Sequence, residues 1–463
     1  MEIVGLSRDK KRALCLFTGL LALFGGLLAA GGVGVYNDSE QYITMHIHRE
    51  PLYPLYLAAF RAVFGQNYLV PAMAGQGILT ALGITALTEY LTGRFRLRLW
   101  EEFLVGALQL APHLITRYVS ALHIFLENSV MSEALCLPLF SFFLYFLLRM
   151  LLEERKRDIY VSLLFAYLLS MTRGQLTTTI LLWALLLAVK LVIRKRYQSL
   201  LIPAAALCLV FVLRSLTVHA YNYAVTGYFM GNTYGKVNTL TNVIYACDEE
   251  DREVFSEGSL ERTFFDSFYA QAMERGLHYS FGGDSFGERA VHLEESHDQL
   301  KFEVLEAGLS AYYFGLGEVD YYEQSSMSDE MAGRMIGKLL PACLGQWFYD
   351  YILLCRNGFV RSIAVVHPVI TPMAFLLYLA AAALSLWQTL QKRRLDAAVV
   401  CGTAFLFIAA NVCATSLTIM CLSRYMIYGF SLFYMAFYLL LREEFLAFRE
   451  KKRADANTLE RIV

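Results

Sequence analysis

Long apolar blocks, nearly free of charge, dictate what this chain can become. They fall near residues 13–35, 67–92, 99–118, 130–152, 158–172, 175–193, 198–219, 363–388, 396–417 and 422–443. Most run for about 18 to 25 residues, the length a helix needs to cross roughly 30 Å of hydrocarbon. Hydrocarbon cannot satisfy an open backbone, so each block has to be helical. The blocks raise the hydrophobic fraction of the 463-residue chain to 57%, against roughly 45–50% in a soluble domain. The expected fold is an all-α polytopic membrane protein with about ten transmembrane helices. The weakest candidates are 99–118, which carries polar residues, and 158–172, which is short. The first apolar run, about 22 residues after "MEIVGLSRDKKR", exceeds the roughly 7–15 residues of a signal-peptide core. It reads as a retained first transmembrane helix.

Lys and Arg cluster between the blocks, in "SRDKKR", "GRFRLR", "EERKR", "IRKRY", "QKRR" and "FREKKR". These clusters follow every second crossing, and positive loops stay in the cytoplasm. The reading is a multi-pass cell-membrane protein with both termini cytoplasmic. Residues 1–219 form an N-terminal membrane module, and its first external loop is 36–66. Residues 220–362 form an extracytoplasmic, mainly helical soluble region, with helices expected over 261–276 and 290–315. Residues 363–443 supply the C-terminal transmembrane helices and 444–463 a cytoplasmic tail. The formal net charge is −1, and no nucleic-acid partner is expected. Most of the nine cysteines lie in apolar blocks, and Cys247, Cys343 and Cys355 show no ligand spacing. No metal site or disulfide framework follows from them. His292 and His297 read as solvated, "GGDSFG" as a turn, and Gly25, Gly26, Gly31, Gly32 and Gly34 as close helix packing.

The ionisable residues that escape the cytoplasmic clusters share the opposite face. Asp38, Glu40, Arg49 and Glu50 lie in "YNDSEQYITMHIHREPLYPLYLAAFRAVFG", Glu133 in "ENSVMSEAL", Arg173 in "LSMTRGQ" and Arg424 in "TIMCLSRYMIYG". A charge at the bilayer centre costs about 2.5–3.5 kcal/mol on insertion scales. Snorkelling anchors at helix ends are one explanation; a polar cavity open to the outside is the other. Beyond Pro51 and Pro54, the residues Tyr56, Leu57, Phe60, Val63 and Phe64 recur at helical spacing. That pattern suits a short amphipathic helix lying in the membrane interface.

In these residues the chain resembles GT-C glycosyltransferases, polytopic enzymes that take sugars from polyprenyl-phosphate donors. Similar members are the bacterial protein O-mannosyltransferases and the aminoarabinose transferase of lipid A. The resemblance rests on "NDSEQY", "HREPLYPLYLAAF", "MSEAL", "MTRG" and the late "SRY", and covers most of 1–220 and 363–443. It omits 220–362. Two departures touch the arginines: Gly174 stands where the family has Pro after Arg173, and "SRY" lacks following prolines.

The resemblance implies transfer of a sugar, with inversion, from a polyprenyl-phosphate donor to a lipid, protein or wall-glycan acceptor at the extracytoplasmic face. Membrane lipids are then immediate partners. Asp38 is the candidate general base, and a turn or cap is its alternative role. Arg49, Arg173 and Arg424 are candidates for the lipid phosphate, because guanidinium matches phosphate oxygens bidentately. Glu133 would bind sugar or hold an arginine; Glu40, His48 and Tyr425 complete the expected substrate site. No metal ligand is assigned, although Asp38 and Glu40 in "DSE" could serve a divalent cation such as magnesium or manganese. Competing readings are a lipid-linked glycan polymerase, a transporter or flippase, and a scaffold built on the external region.

Overall fold

A computed structural model describes residues 8–460, apart from 120–122, 124, 154 and 392–394. Lys392, Arg393 and Arg394 of the "QKRR" cluster, Ser7 of the first cluster, Glu154 of "EERKR" and the last three residues of the expected tail lie outside the described residues. So do 120–122 and 124 of the outer loop expected over 118–130.

The described chain is helical throughout. In order it forms α1 (Arg8–Gly31), α2 (Asn37–Ile43), α3 (Leu52–Phe64), α4 (Leu69–Phe95), α5 (Leu99–Val119), α6 (Ser132–Leu152) and α7 (Lys156–Thr172). Then come α8 (Thr178–Ile193), α9 (Leu201–Thr226), α10 (Gly235–Ala246), α11 (Leu260–Glu274), α12 (Phe286–Gln299), α13 (Ala307–Gly315) and α14 (Tyr321–Ala342). The last are α15 (Leu344–Ile363), α16 (Ile370–Leu390), α17 (Leu395–Ser416), α18 (Ser423–Met426) and α19 (Tyr428–Glu460). Each of the ten apolar blocks lies on a helix. By length and composition, seven helical stretches qualify to cross a membrane: α1, α4, α6, α8, α9, α16 and α17. The other three blocks are α5, with Glu101, Glu102 and Arg117; α7, of 17 residues; and α19, whose second half is charged. The chain is an all-α membrane protein.

α6 lies at the centre of the membrane bundle, packed against α4 and α7, while α17 packs against α19 and α15. The close approach expected of the α1 glycines is made at Gly31, where a Cβ would stand 3.2 Å from Asn128 Nδ2, whereas Gly25 and Gly26 face open space. A second tight contact comes from the neighbouring helix: a Cβ at Gly77 of α4 would stand 3.1 Å from Phe24 Cβ.

At one end of the bundle basic side chains meet acids. Arg12 lies 3.7 Å from Glu102, Arg94 lies 2.5 Å from Asp396, and Arg442 lies 2.7 Å from Glu101. At the other end a single parallel bridge joins Gly34 to Ser129, through Gly34 N–H to the Asn128 carbonyl at 2.8 Å and Val130 N–H to the Gly34 carbonyl at 2.9 Å. Ser39 Oγ donates to the Val130 carbonyl at 2.7 Å. These bonds lay α2 beside the N-terminus of α6. α3 coincides with the expected interfacial helix; Tyr53, Pro54 and Leu57 are buried, whereas Leu55, Val63 and Phe64 are exposed.

Residues between α9 and α15 build a second hydrophobic core from Leu240, Phe265, Phe268, Leu305, Met335 and their neighbours. α11 fits the helix expected over 261–276, and α12 and α13 that expected over 290–315, joined by a π-helical segment, Leu300–Glu306. The reading of solvated histidines fails here. His297 is buried, and His292 is held between Tyr245 Oη at 2.8 Å and the Gly276 carbonyl at 2.9 Å. Two polar atoms find fixed partners in a core that spacing alone did not reveal.

Gly358 of α15 faces α17 so closely that an added Cβ would stand 2.8 Å from Val412 Cγ1 and 2.9 Å from Cys421 Sγ. Gly358→Ala should lower stability by about 1–3 kcal/mol. Gly402→Ala, in open space on α17, should be neutral or stabilise by up to about 1 kcal/mol. Thermal unfolding of the purified proteins in detergent measures both.

Candidate functional site

Beside the Gly34–Ser129 bridge, five charged side chains from four parts of the chain come together. Asp38 of α2 receives Arg49 Nη2 on Oδ1 and Arg424 Nη1 on Oδ2, each at 2.8 Å. Arg424 Nε also lies 4.0 Å from Glu133 Oε1. Arg173 Nη1 completes the group, 2.5 Å from that Glu133 oxygen and 3.2 Å from Ser132 Oγ. The order is Arg49, Asp38, Arg424, Glu133, Arg173: three guanidiniums on two carboxylates.

The local folding explains the convergence. α7 ends at Thr172, where Arg173 turns to extended backbone before a 3-10 turn leads into α8. Glu133 stands in the first turn of α6, where the helix N-terminus favours negative charge. α18, a single turn, delivers Arg424 and Tyr425. Tyr425 serves both neighbouring arginines, its ring centroid 4.8 Å from Arg173 Cζ and 5.0 Å from Arg424 Cζ. Tyr42 ties the first loop to α6, with Oη 2.9 Å from Ser132 Oγ and its ring under Arg49. Arg49 is further fixed by donating to Gln41 Oε1 at 2.7 Å. Burial pushes the Asp38 carboxyl up, but Arg49 and Arg424 together bring it below its ordinary value. It is therefore a charged pivot for two cations.

A hollow of about 840 Å³ opens beside the cluster. Its polar wall includes Arg49, Arg173, Gln175, Asn232 and Tyr425; Leu181, Phe211 and Val218 make an apolar wall along α8 and α9. A smaller recess of about 120 Å³ is bounded by Tyr42, Arg49 and Arg173. On another side, an apolar hollow of about 310 Å³ reaches Arg424 and Arg361 between α5, α16 and α19.

Of the residues expected from sequence, Asp38, Arg49, Glu133, Arg173, Arg424 and Tyr425 are brought together. His48 lines the large hollow. It is held by Thr233 Oγ1 at 3.1 Å and Tyr321 Oη at 2.9 Å, and stacks on Tyr234 with centroids 4.6 Å apart. Burial, with His46, Arg49 and Lys301 nearby, pushes its pKa down to about 3, so the ring is neutral. Residues 44–50 form turns that bring the His46 and His48 ring centroids to 4.4 Å from each other. Glu40 is exposed and takes no part in the cluster.

The arrangement does not fit a divalent cation at "DSE". Both Asp38 oxygens are on guanidiniums, Glu40 is elsewhere, and the cluster carries one more positive than negative charge. Away from it, Cys247, Asp251 and Cys343 place ligand atoms within 4.8 Å of one another, a grouping the sequence spacing hid.

Sequence reading missed Arg214, which lies on α9 inside an apolar run and pairs with Glu50 in the wall of the large hollow. A lone charge within an apolar span was its signal. Lys301 was also missed. Its ammonium sits 3.4 Å from the Tyr234 ring centroid, and the π-turn that carries it leaves no mark in the hydrophobic pattern.

Compared with known proteins, the chain matches no family model, no curated protein and no solved structure.

Glu133 is 1% exposed. Glu133→Gln would leave the largely enclosed Arg173 without its counter-charge and should cost up to about 3 kcal/mol. Glu40→Ala should change stability by less than about 0.5 kcal/mol. Chemical unfolding of the two variants in the same detergent tests the contrast.

Proposed function

We propose that this chain is a membrane glycosyltransferase of GT-C type. It would move a sugar from a polyprenyl-phosphate carrier to an acceptor at the extracytoplasmic face, with inversion at the anomeric carbon. The observation that carries the reading is the chain of three arginines on two carboxylates, set at the rim of a large hollow with one polar and one apolar wall. An anionic headgroup on a long hydrocarbon tail needs that pairing of surfaces.

The orientation follows the positive-inside rule. The end with Arg12, Arg94 and Arg442 is cytoplasmic, the charge cluster lies outside, and the chain crosses ten times. α3, with Leu55, Val63 and Phe64 outward, lies along the outer interface beside the entry for lipid. A transporter would place its binding charges near the midplane between repeated halves; here they gather at one end.

In the reaction, the bond between the anomeric carbon and the phosphate oxygen breaks, and the phosphate leaves with the electron pair. Arg173, fixed by Glu133 and Tyr425, and Arg424 meet that charge. Arg49 and Arg424 exchange Asp38 for phosphate oxygens, since a phosphate offers more charge and a matching geometry. Asp38 becomes a better proton acceptor after that exchange, because at rest each of its oxygens carries a guanidinium. The Glu133–Arg173 pair stays in place and keeps the pocket shaped.

Fixed charge stabilisers of this kind are each worth about 10²–10³ in rate. Arg173→Ala and Arg424→Ala should each lower transfer by about that factor. Cell-surface glycans from strains with the gene, without it, and with each variant supply the measurement. Glycans unchanged by loss of the gene, or transfer at the parent level in both variants, would refute the proposal.

A further inference from the structure

Glu50 follows Arg49 in the first external loop, and the chemistry above leaves it unused. Its Oε1 accepts from Arg214 Nη2 of α9, while Oε2 has no hydrogen-bond partner. The carboxyl lines both the large hollow and the small recess next to Arg173. The position after Arg173 accommodates it. A Cβ at Gly174 would stand 3.0 Å from Glu50 Oε1 and 3.8 Å from Arg214 Nη2. A side chain at 174 would therefore crowd the carboxyl, and glycine leaves it room.

The two external carboxylates thus differ in kind. Asp38 has a guanidinium on each oxygen. Glu50 has one guanidinium and a second oxygen that is buried without a hydrogen-bond partner. We infer that Glu50, rather than Asp38, is the base that takes the proton from the acceptor hydroxyl, with Arg214 holding its carboxyl in position. This rests on the transferase reading. The acceptor O–H gives its proton to the Glu50 carboxylate while its oxygen bonds to the anomeric carbon. The C–O bond to phosphate breaks and its electron pair leaves on the polyprenyl phosphate, between Arg173 and Arg424. Glu50 later returns the proton to water.

Burial pushes the Glu50 carboxyl up to about 7 against the pull of Arg214, where a general base works well at neutral pH. The other charged or titratable groups lining the hollow are Arg49 and His48 on its own loop, Arg173 at the end of α7, Arg214 and His219 on α9, Tyr234 before α10 and Tyr425 on α18. His48 stays neutral through this range.

The test uses the full-length protein in nanodiscs with a panel of synthetic decaprenyl-phosphate sugars and a lipid extract as acceptor. The readout is released decaprenyl phosphate, a product common to every sugar. A base must be unprotonated, so the rate should fall about tenfold per pH unit below about 7. If Asp38 were the base, kcat/KM, which reports the free enzyme, would stay flat to below about pH 4. Glu50→Gln should lose about 10²–10⁴ in rate and keep its thermal stabilisation by decaprenyl phosphate, and Glu50→Asp should recover part of the rate. A flat profile from about pH 8 to 5, or parent-level turnover in Glu50→Gln, overturns the assignment and leaves the transferase intact. Release from no donor at any pH sinks both.

Discussion

Glu133 stands where the bundle gives it almost no water, and it is tolerable there only because Arg173 reaches it from the wall of the hollow. Removing one partner of such a pair leaves a charge that the surroundings cannot solvate. Everything at the site follows from that need. Glu133 fixes Arg173 at the end of α7, the spare reach of Glu133 draws in Arg424, and Arg424 draws in Asp38, which holds Arg49. Ion pairs thus tie the first loop, α6, the α7–α8 junction and α18 at one end of the bundle. The net stabilisation of such pairs over apolar packing is small. What they provide is a set of cations in fixed places, with the positive excess an anion would neutralise.

The helices were legible because length and hydropathy alone demand them in a bilayer. The charge cluster was legible for a related reason. Asp38, Glu133, Arg173 and Arg424 sit at block ends of matching sidedness, and polar groups at membrane depth must find one another. Glu40, two residues from Asp38, shared the same local signal and does not join; sidedness gives depth but not direction around α2. Contacts between residues far apart in sequence were harder to read. Nothing in the pattern pairs Glu50 with Arg214 across 164 positions. Nor does it reveal that Cys247, Asp251 and Cys343 meet, or that His292 and His297 are enclosed.

The second core is also keyed into the site. His48, Tyr234 and Lys301 stack in sequence, linking the first loop to the π-helical segment after α12. Tyr234 holds a positive φ of 100° without being glycine, a conformation that surrounding contacts must enforce. Its N–H donates to Asp329 Oδ1 at 3.1 Å, one of the contacts that fix it. The polar region between α9 and α15 therefore forms part of the wall of the hollow and sets its shape next to Arg49.

The most direct test of the central claim is a cryo-EM map of the protein in nanodiscs with decaprenyl phosphate bound. The account predicts phosphate density within hydrogen-bonding reach of Arg173 and Arg424, with Asp38 having given up at least one guanidinium. A lipid phosphate seated elsewhere, while Asp38 keeps both arginines, would contradict it.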